Sequence, residues 1–268
     1  MRIRRGDDGE GANRIITNSV WVAQAGFTSN AFTPHESRLR RARRREIEMS
    51  RILGVLGGMG PAATVAFLAR VQALTPATAD EDHVRVIADI NPQVPNRHMQ
   101  PEAAGQALGH MAQTLKTAGA QVLAMPCNTA HAHADAIRAA GLPFIDMVAE
   151  TARAAAATDA RRVGVLATPG GMRLYAEALS AEGLSMVAPS PAECERFMQV
   201  VFAVKAGDVG AGQREAMREL AQALIAAGAE AVIGGCTEVP LLLDQADISA
   251  PLIDSAEVLA QACVAACR

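Results

Sequence analysis

Three marks recur along this chain in one order and at almost one spacing. "SRILGVLGGMG" (50–60) is answered by "RRVGVLATPGG" (161–171), "AGAQVLAMPCNT" (118–129) by "AGAEAVIGGCT" (227–237), and "PFIDMVA" (143–149) by "PLIDSAE" (251–257). Gly54 and Gly164 stand 110 residues apart, Cys127 and Cys236 stand 109 apart, and Pro143 and Pro251 stand 108 apart. Any alternation of strands and helices repeats apolar runs and helix-ending glycines. It does not place a cysteine at the same point of both halves. The chain therefore reads as a duplication, and a duplicated chain must fold as two similar units.

Within each half, short apolar runs alternate with helical patterns. "RILGVL" (51–56), "VRVIADI" (84–90), "QVLAM" and "PFIDM" read as buried strands. "PAATVAFLARVQAL" reads as a helix. So does 101–119, with Leu108, Met111, Ala112 and Leu115 on one face. Further helices are predicted from about Asn128 and about Ala149. Strands separated by helical crossovers are parallel. The predicted fold class is α/β: two similar domains, each a mainly parallel sheet flanked by helices, related by a pseudo-twofold with an active site between them. The predicted first domain is 51–148 plus 255–268, and the second is 149–254.

Composition fits this. Aromatic residues make up only 3% of the 268 residues, so the cores must be built from Ala, Val, Leu, Ile and Met. The net charge of -3 argues against a nucleic-acid binder, which needs a concentrated basic footprint. No apolar run reaches the length of a membrane span.

Residues 1–49 are unlike the rest. "SRLRRARRRE" holds six arginines between Arg38 and Arg45, and Trp21, the only tryptophan, lies in the same segment. A basic tract can bind nucleic acid or anionic lipid. The composition cannot bury a core, so the segment is expected to be a disordered tail, or an upstream start ahead of a working chain that begins at Met49. No secretory signal is visible in it.

The five cysteines are Cys127, Cys194, Cys236, Cys263 and Cys267, an odd number with no CxxC spacing. That speaks against a disulfide framework or a zinc site, and for a reducing compartment. Cys263 and Cys267 read as small core residues and Cys194 as structural. Cys127 and Cys236 differ, because each sits just past a strand where the next helix is expected. Ligands of parallel sheets bind at the carboxyl ends of strands. A helix N-terminus there would lower a thiol's pKa. Two domains packed face to face would set Cys127 opposite Cys236. Inverting a carbon centre needs a base on one face and an acid on the other, and two opposed thiols supply both. Asn128, Thr129 and Thr237 follow the cysteines and could hold a carboxylate, or act only as helix caps. Glu238 could tune its neighbouring thiol or orient an ammonium, or be a first-turn acid favoured by the helix dipole. His131 and His133 do not share a helix face, and no metal is expected.

With these segments in view, the chain after Arg51 resembles aspartate racemases of the aspartate/glutamate racemase superfamily. The matching segments are "GVLGGMGPAAT", "NPQVPNRH", "MPCNTAHA", "VGVLAT", "FAVKAG", "GCTEVPLLL" and "PLID", in family order. The resemblance implies a cofactor-independent enzyme that interconverts L- and D-aspartate, with glutamate as a further substrate. Its catalytic pair would be Cys127 and Cys236. It implies that Arg97 binds the side-chain carboxylate and that Lys205 shares the task; Lys205 is one of only two lysines. Met59 and Thr168 join the implied substrate-binding set. "PGGMRLY", after Thr168, departs from the family pattern and bears on the α-carboxylate pocket. The expected partner is a small acidic amino acid, with no nucleic acid and no membrane, and the expected assembly is a cytoplasmic homodimer.

Other readings fit the same scaffold. A small-diacid cis–trans isomerase also uses two cysteines, whereas a decarboxylase needs one proton donor and leaves a thiol surplus. A non-enzymatic small-acid-binding protein would rely on the basic tail. The intact cysteine pair, together with Arg97 and Lys205, favours the racemase.

Overall fold

The computed structural model describes Arg38 and residues 50–268 apart from His98. Apart from Arg38, the tail of 1–49 lies outside the described residues, and so does its expected disorder. The first sheet holds β1 (Leu53–Gly57), β2 (Val86–Ile90), β3 (Val122–Ala124) and β4 (Phe144–Ile145), in the order β2-β1-β3-β4. The second holds β5 (Arg162–Leu166), β6 (Ser185–Val187), β7 (Ala231–Gly234) and β8 (Leu252–Asp254), in the order β6-β5-β7-β8. Every pairing is parallel, and the two orders are one pattern used twice. The duplication read from the sequence is thus a duplication of topology. The strands are shorter than their apolar runs, and "PFIDM" pairs over two residues only.

The helices are α1 (Pro61–Leu74), α2 (Pro101–Thr117), α3 (Ala134–Arg138), α4 (Met147–Ala156), α5 (Pro169–Ala181), α6 (Pro191–Lys205), α7 (Ala211–Ala226) and α8 (Ser255–Cys267). Four of them begin on proline, whose fixed φ suits the first turn and whose missing N–H has no intrahelical role there. The two "ID" echoes share a job. Asp146 accepts from the Val148 and Ala149 amides to cap α4, and Asp254 accepts from Ala256 to cap α8.

The repeated glycines have a packing reason. A Cβ on Gly54 would lie 2.7 Å from Ala120 Cβ, and one on Gly164 would lie 3.0 Å from both Ala229 and Leu224. Only glycine lets the strand approach so closely the end of the helix that leads into the neighbouring strand. The predicted face of α2, Leu108, Met111, Ala112 and Leu115, is buried.

The last helix of each half packs on the other half's sheet. Val148, Ala152 and Ala155 of α4 join Val163, Val165 and Ala231 in one core. Leu259, Ala260, Cys263 and Cys267 of α8 join Leu53, Val55 and Phe67 in another. Arg70 of α1 pairs with Asp254 at the start of α8, and the Arg51 amide donates to the Cys267 carbonyl at 2.7 Å. No described helix is long and apolar enough to cross a membrane.

Candidate active site

The carboxyl ends of strands from both sheets open onto one cavity of about 540 Å³. All ten predicted site residues line it. Met59 follows β1, Arg97 follows β2, and Cys127, Asn128 and Thr129 follow β3. Thr168 follows β5, and Cys236, Thr237 and Glu238 follow β7. Lys205 ends α6. All five cysteines are free, and Cys127 and Cys236 are buried.

Neither cysteine is followed by the long α-helix expected from the sequence. Cys127 leads into a 3-10 turn, Thr129–His133, and Cys236 into another, Val239–Leu241. The cause is local and differs between halves. An α-helix would direct the His131 amide to the Cys127 carbonyl. Instead the Ala130 amide reaches that carbonyl at 3.2 Å, and the His131 ring takes it through Nδ1 at 2.9 Å. At Cys236 the corresponding donor would be residue 240, which is a proline without an N–H. Val239 donates there instead, at 2.9 Å.

The expected lowering of the thiol pKa values is also not found. Burial pushes Cys127 up, and Arg97's charge and the Ala130 amide offset this only in part. Burial pushes Cys236 up further, and Glu238 adds to it by its charge and hydrogen bond. Neighbouring amides do favour thiolate, as the sequence argument held, but desolvation is larger.

The two thiols are therefore not equivalent. Cys236 Sγ donates to Glu238 Oε2 at 2.9 Å, and Lys205 Nζ donates to Glu238 Oε1 at 2.5 Å. Burial pulls the Lys205 pKa down, but the Glu238 carboxylate and its hydrogen bond raise it on balance. Lys205, expected as a ligand for substrate, thus already has a carboxylate. Arg97 has none among the described residues, and its buried Nε has no hydrogen-bond partner. Thr129 Oγ1 and Thr168 Oγ1 share a hydrogen bond of 2.7 Å between the halves, while Thr168 also accepts from the Gly171 amide to cap α5. Among the described residues no group of three His, Cys, Asp or Glu could hold a metal ion.

Residues 56–263 match the sequence profile of the Asp/Glu/hydantoin racemase family. The chain belongs to this racemase family. It is 27% identical over 225 residues to a broad specificity amino-acid racemase of Bacillus subtilis, covering 80% of this chain and 96% of that one. It is 29% identical over 230 residues to a glutamate racemase of Pseudomonas entomophila, covering 80% of each. Among solved structures, the aspartate racemase of Picrophilus torridus superposes with a TM-score of 0.70 at 27% identity, covering 81% of this chain and 94% of that one.

Around this cavity stand residues the sequence reading did not assign. His131 Nε2 accepts from the Met147 amide at 3.0 Å, so the proton sits on Nδ1 and points at the Cys127 carbonyl. Burial keeps the ring neutral by pushing its pKa down. Tyr175 OH donates to Asn128 Oδ1 at 2.6 Å, and Asn128 Nδ2 donates to Ser255 Oγ at 3.1 Å. The only sequence signal for His131 was its place four residues after a cysteine. Tyr175 ends the "PGGMRLY" segment and Ser255 lies in the "PLIDSAE" echo, but neither was assigned a role from the sequence.

Proposed function

We propose that this protein interconverts L- and D-aspartate by two-base proton transfer at Cα, without a cofactor. One observation carries the reading. Two buried thiols, one from each half of a duplicated fold, line a single cavity with a cation that no described carboxylate neutralises. The racemase family membership and the likeness to the Picrophilus torridus aspartate racemase support it.

In this reading Arg97 holds the side-chain carboxylate, since its planar fork suits two parallel bonds. Cys127 is the readier base, because Arg97 offsets part of its burial, whereas Glu238 adds to burial in keeping the proton on Cys236. The Cys127 thiolate takes the Cα proton from one face. The electron pair left on Cα is shared with the α-carboxylate. The Cys236 thiol then gives its proton to the opposite face and becomes the thiolate. The reverse direction exchanges the roles. Glutamate, one methylene longer, is the second substrate.

The test is Cα exchange in heavy water with each acidic amino acid. L-aspartate should acquire deuterium at Cα as D-aspartate appears, and Cys127→Ala or Cys236→Ala should stop inversion. Inversion without deuterium uptake, or inversion that persists in both variants, overturns the two-thiol reading.

A further inference from the structure

A buried chain of hydrogen bonds joins the two cysteine loops. Tyr175 on α5 donates to Asn128 Oδ1 at 2.6 Å, directly after Cys127. Asn128 Nδ2 donates to Ser255 Oγ at 3.1 Å, at the first residue of α8. Ser255 Oγ donates to the Gly234 carbonyl at 2.6 Å, two residues before Cys236. The donors run in one direction along this chain, from Tyr175 to the Gly234 carbonyl. Turning the Asn128 amide over would draw the Ser255 proton away from Gly234. Tyr175 and Ser255 have no exposed surface, and Asn128 retains only 3%. Tyr175 touches the second loop as well, since a Cβ on Gly235 would lie 2.7 Å from its ring carbon Cε2. The ring therefore bears on the backbone that leads to Cys236, while its hydroxyl holds the residue after Cys127.

Asn128 was expected to hold substrate, yet each end of its amide already has a protein partner. A buried polar chain satisfied at every link has one geometry and resists deformation. This one runs between the two sheets, from one cysteine loop to the other. We infer that Tyr175, Asn128 and Ser255 form a strut that sets the separation of the two thiols across the substrate, and that Tyr175 and Ser255 are positioning residues rather than substrate ligands. The inference rests on the two-thiol reading above. It adds what that reading lacks, a device that keeps a base and an acid in register on opposite faces of one carbon. Misplacing a reacting group by about 1 Å costs on the order of 100-fold in rate.

The test uses the full chain and two variants, Tyr175→Phe, which removes one hydroxyl and keeps the ring, and Ser255→Ala. With aspartate in heavy water, both should lower kcat for inversion by ~10-fold to ~100-fold, with KM within ~2-fold. Cα deuteration with retained configuration should rise relative to inversion, because abstraction needs one thiol and inversion needs both in register. A second readout is independent of turnover. Dibromobimane fluoresces only when both of its arms have alkylated a thiol, and its arms reach across about the width of one small substrate, so its cross-linking of the two cysteines should fall in both variants, while each thiol still reacts with a monofunctional alkylating reagent. Equal loss of exchange and inversion, a change confined to KM, or undiminished cross-linking overturns the strut. A native protein that cross-links more fully than the variants do, yet exchanges no Cα proton, keeps the strut and overturns the racemase reading. If Tyr175→Phe does not fold, Ser255→Ala alone decides by the same readouts.

Discussion

At the scale of single residues, Glu238 makes the two thiols of a duplicated fold chemically unequal. Its carboxylate accepts from Cys236 and from Lys205, so it raises the pKa of the one and, against burial, of the other. Glu238→Gln keeps the shape and removes the charge. Cys236 would then lose a cause that raises its pKa and keep Lys205, which lowers it. Alkylation of Cys236 by iodoacetamide at mildly alkaline pH, followed by peptide mass mapping, should therefore quicken more than that of Cys127. Under the proposed two-thiol reading racemisation should fall, because Cys236 as the acid now ionises more readily. An unchanged ratio of the two alkylation rates would show that Glu238 does not create the asymmetry. Ten residues of the cavity wall, both cysteines among them, were legible in the sequence. Glu238 as a tuner of its neighbouring thiol was one reading of the sequence, but the direction of the asymmetry was not legible. It depends on desolvation, which is a property of the packed molecule, and on a lysine thirty-three residues away.

At the scale of elements, the turn after Cys127 shows how a side chain replaces a helix. His131 takes the carbonyl an α-helix would use and accepts the first amide of α4. Strand and helix positions were legible because apolar period and starting prolines are local. This substitution was not, since the His131 ring must first meet Met147 and stack on Phe144, at a centroid distance of 5.4 Å. Burial lowers the His131 pKa below its ordinary 6.5, although Asp146 pulls the other way. The folded state therefore binds fewer protons than the unfolded chain between the depressed value and 6.5. The contribution of His131 to stability is full above 6.5 and is lost as the pH falls below it. His131→Phe keeps the stack and removes both hydrogen bonds. It should cost about 1–3 kcal/mol at neutral pH, the cost of stranding a buried polar group. It should also flatten the decline in stability below about pH 6.5. Urea unfolding across that range measures both effects, and a variant with the native pH slope would move that slope's origin elsewhere.

At the scale of the whole molecule, duplication explains why the site lies where it does. Two sheets of one topology bring the carboxyl ends of their strands to one cavity, and α4 and α8 each pack on the other half's sheet, so neither half is complete without the other. The wall of that cavity then carries two cations with different duties. Lys205 is neutralised by Glu238, while Arg97 has no described carboxylate and a buried Nε without a partner. A second carboxylate buried there without a cation would be strongly disfavoured, and Arg97 is the group able to receive it. Arg97→Ala should cost about 2–5 kcal/mol in kcat/KM for aspartate, or roughly 30-fold to roughly 5,000-fold. Alanine offers no second carboxylate, so the native enzyme should use it poorly and the variant should use it no worse. Coupled assays with L-aspartate and L-alanine on both proteins give the comparison. Normal aspartate turnover in the variant, or a native preference for an uncharged side chain, would remove Arg97 as the side-chain ligand and aspartate as the substrate.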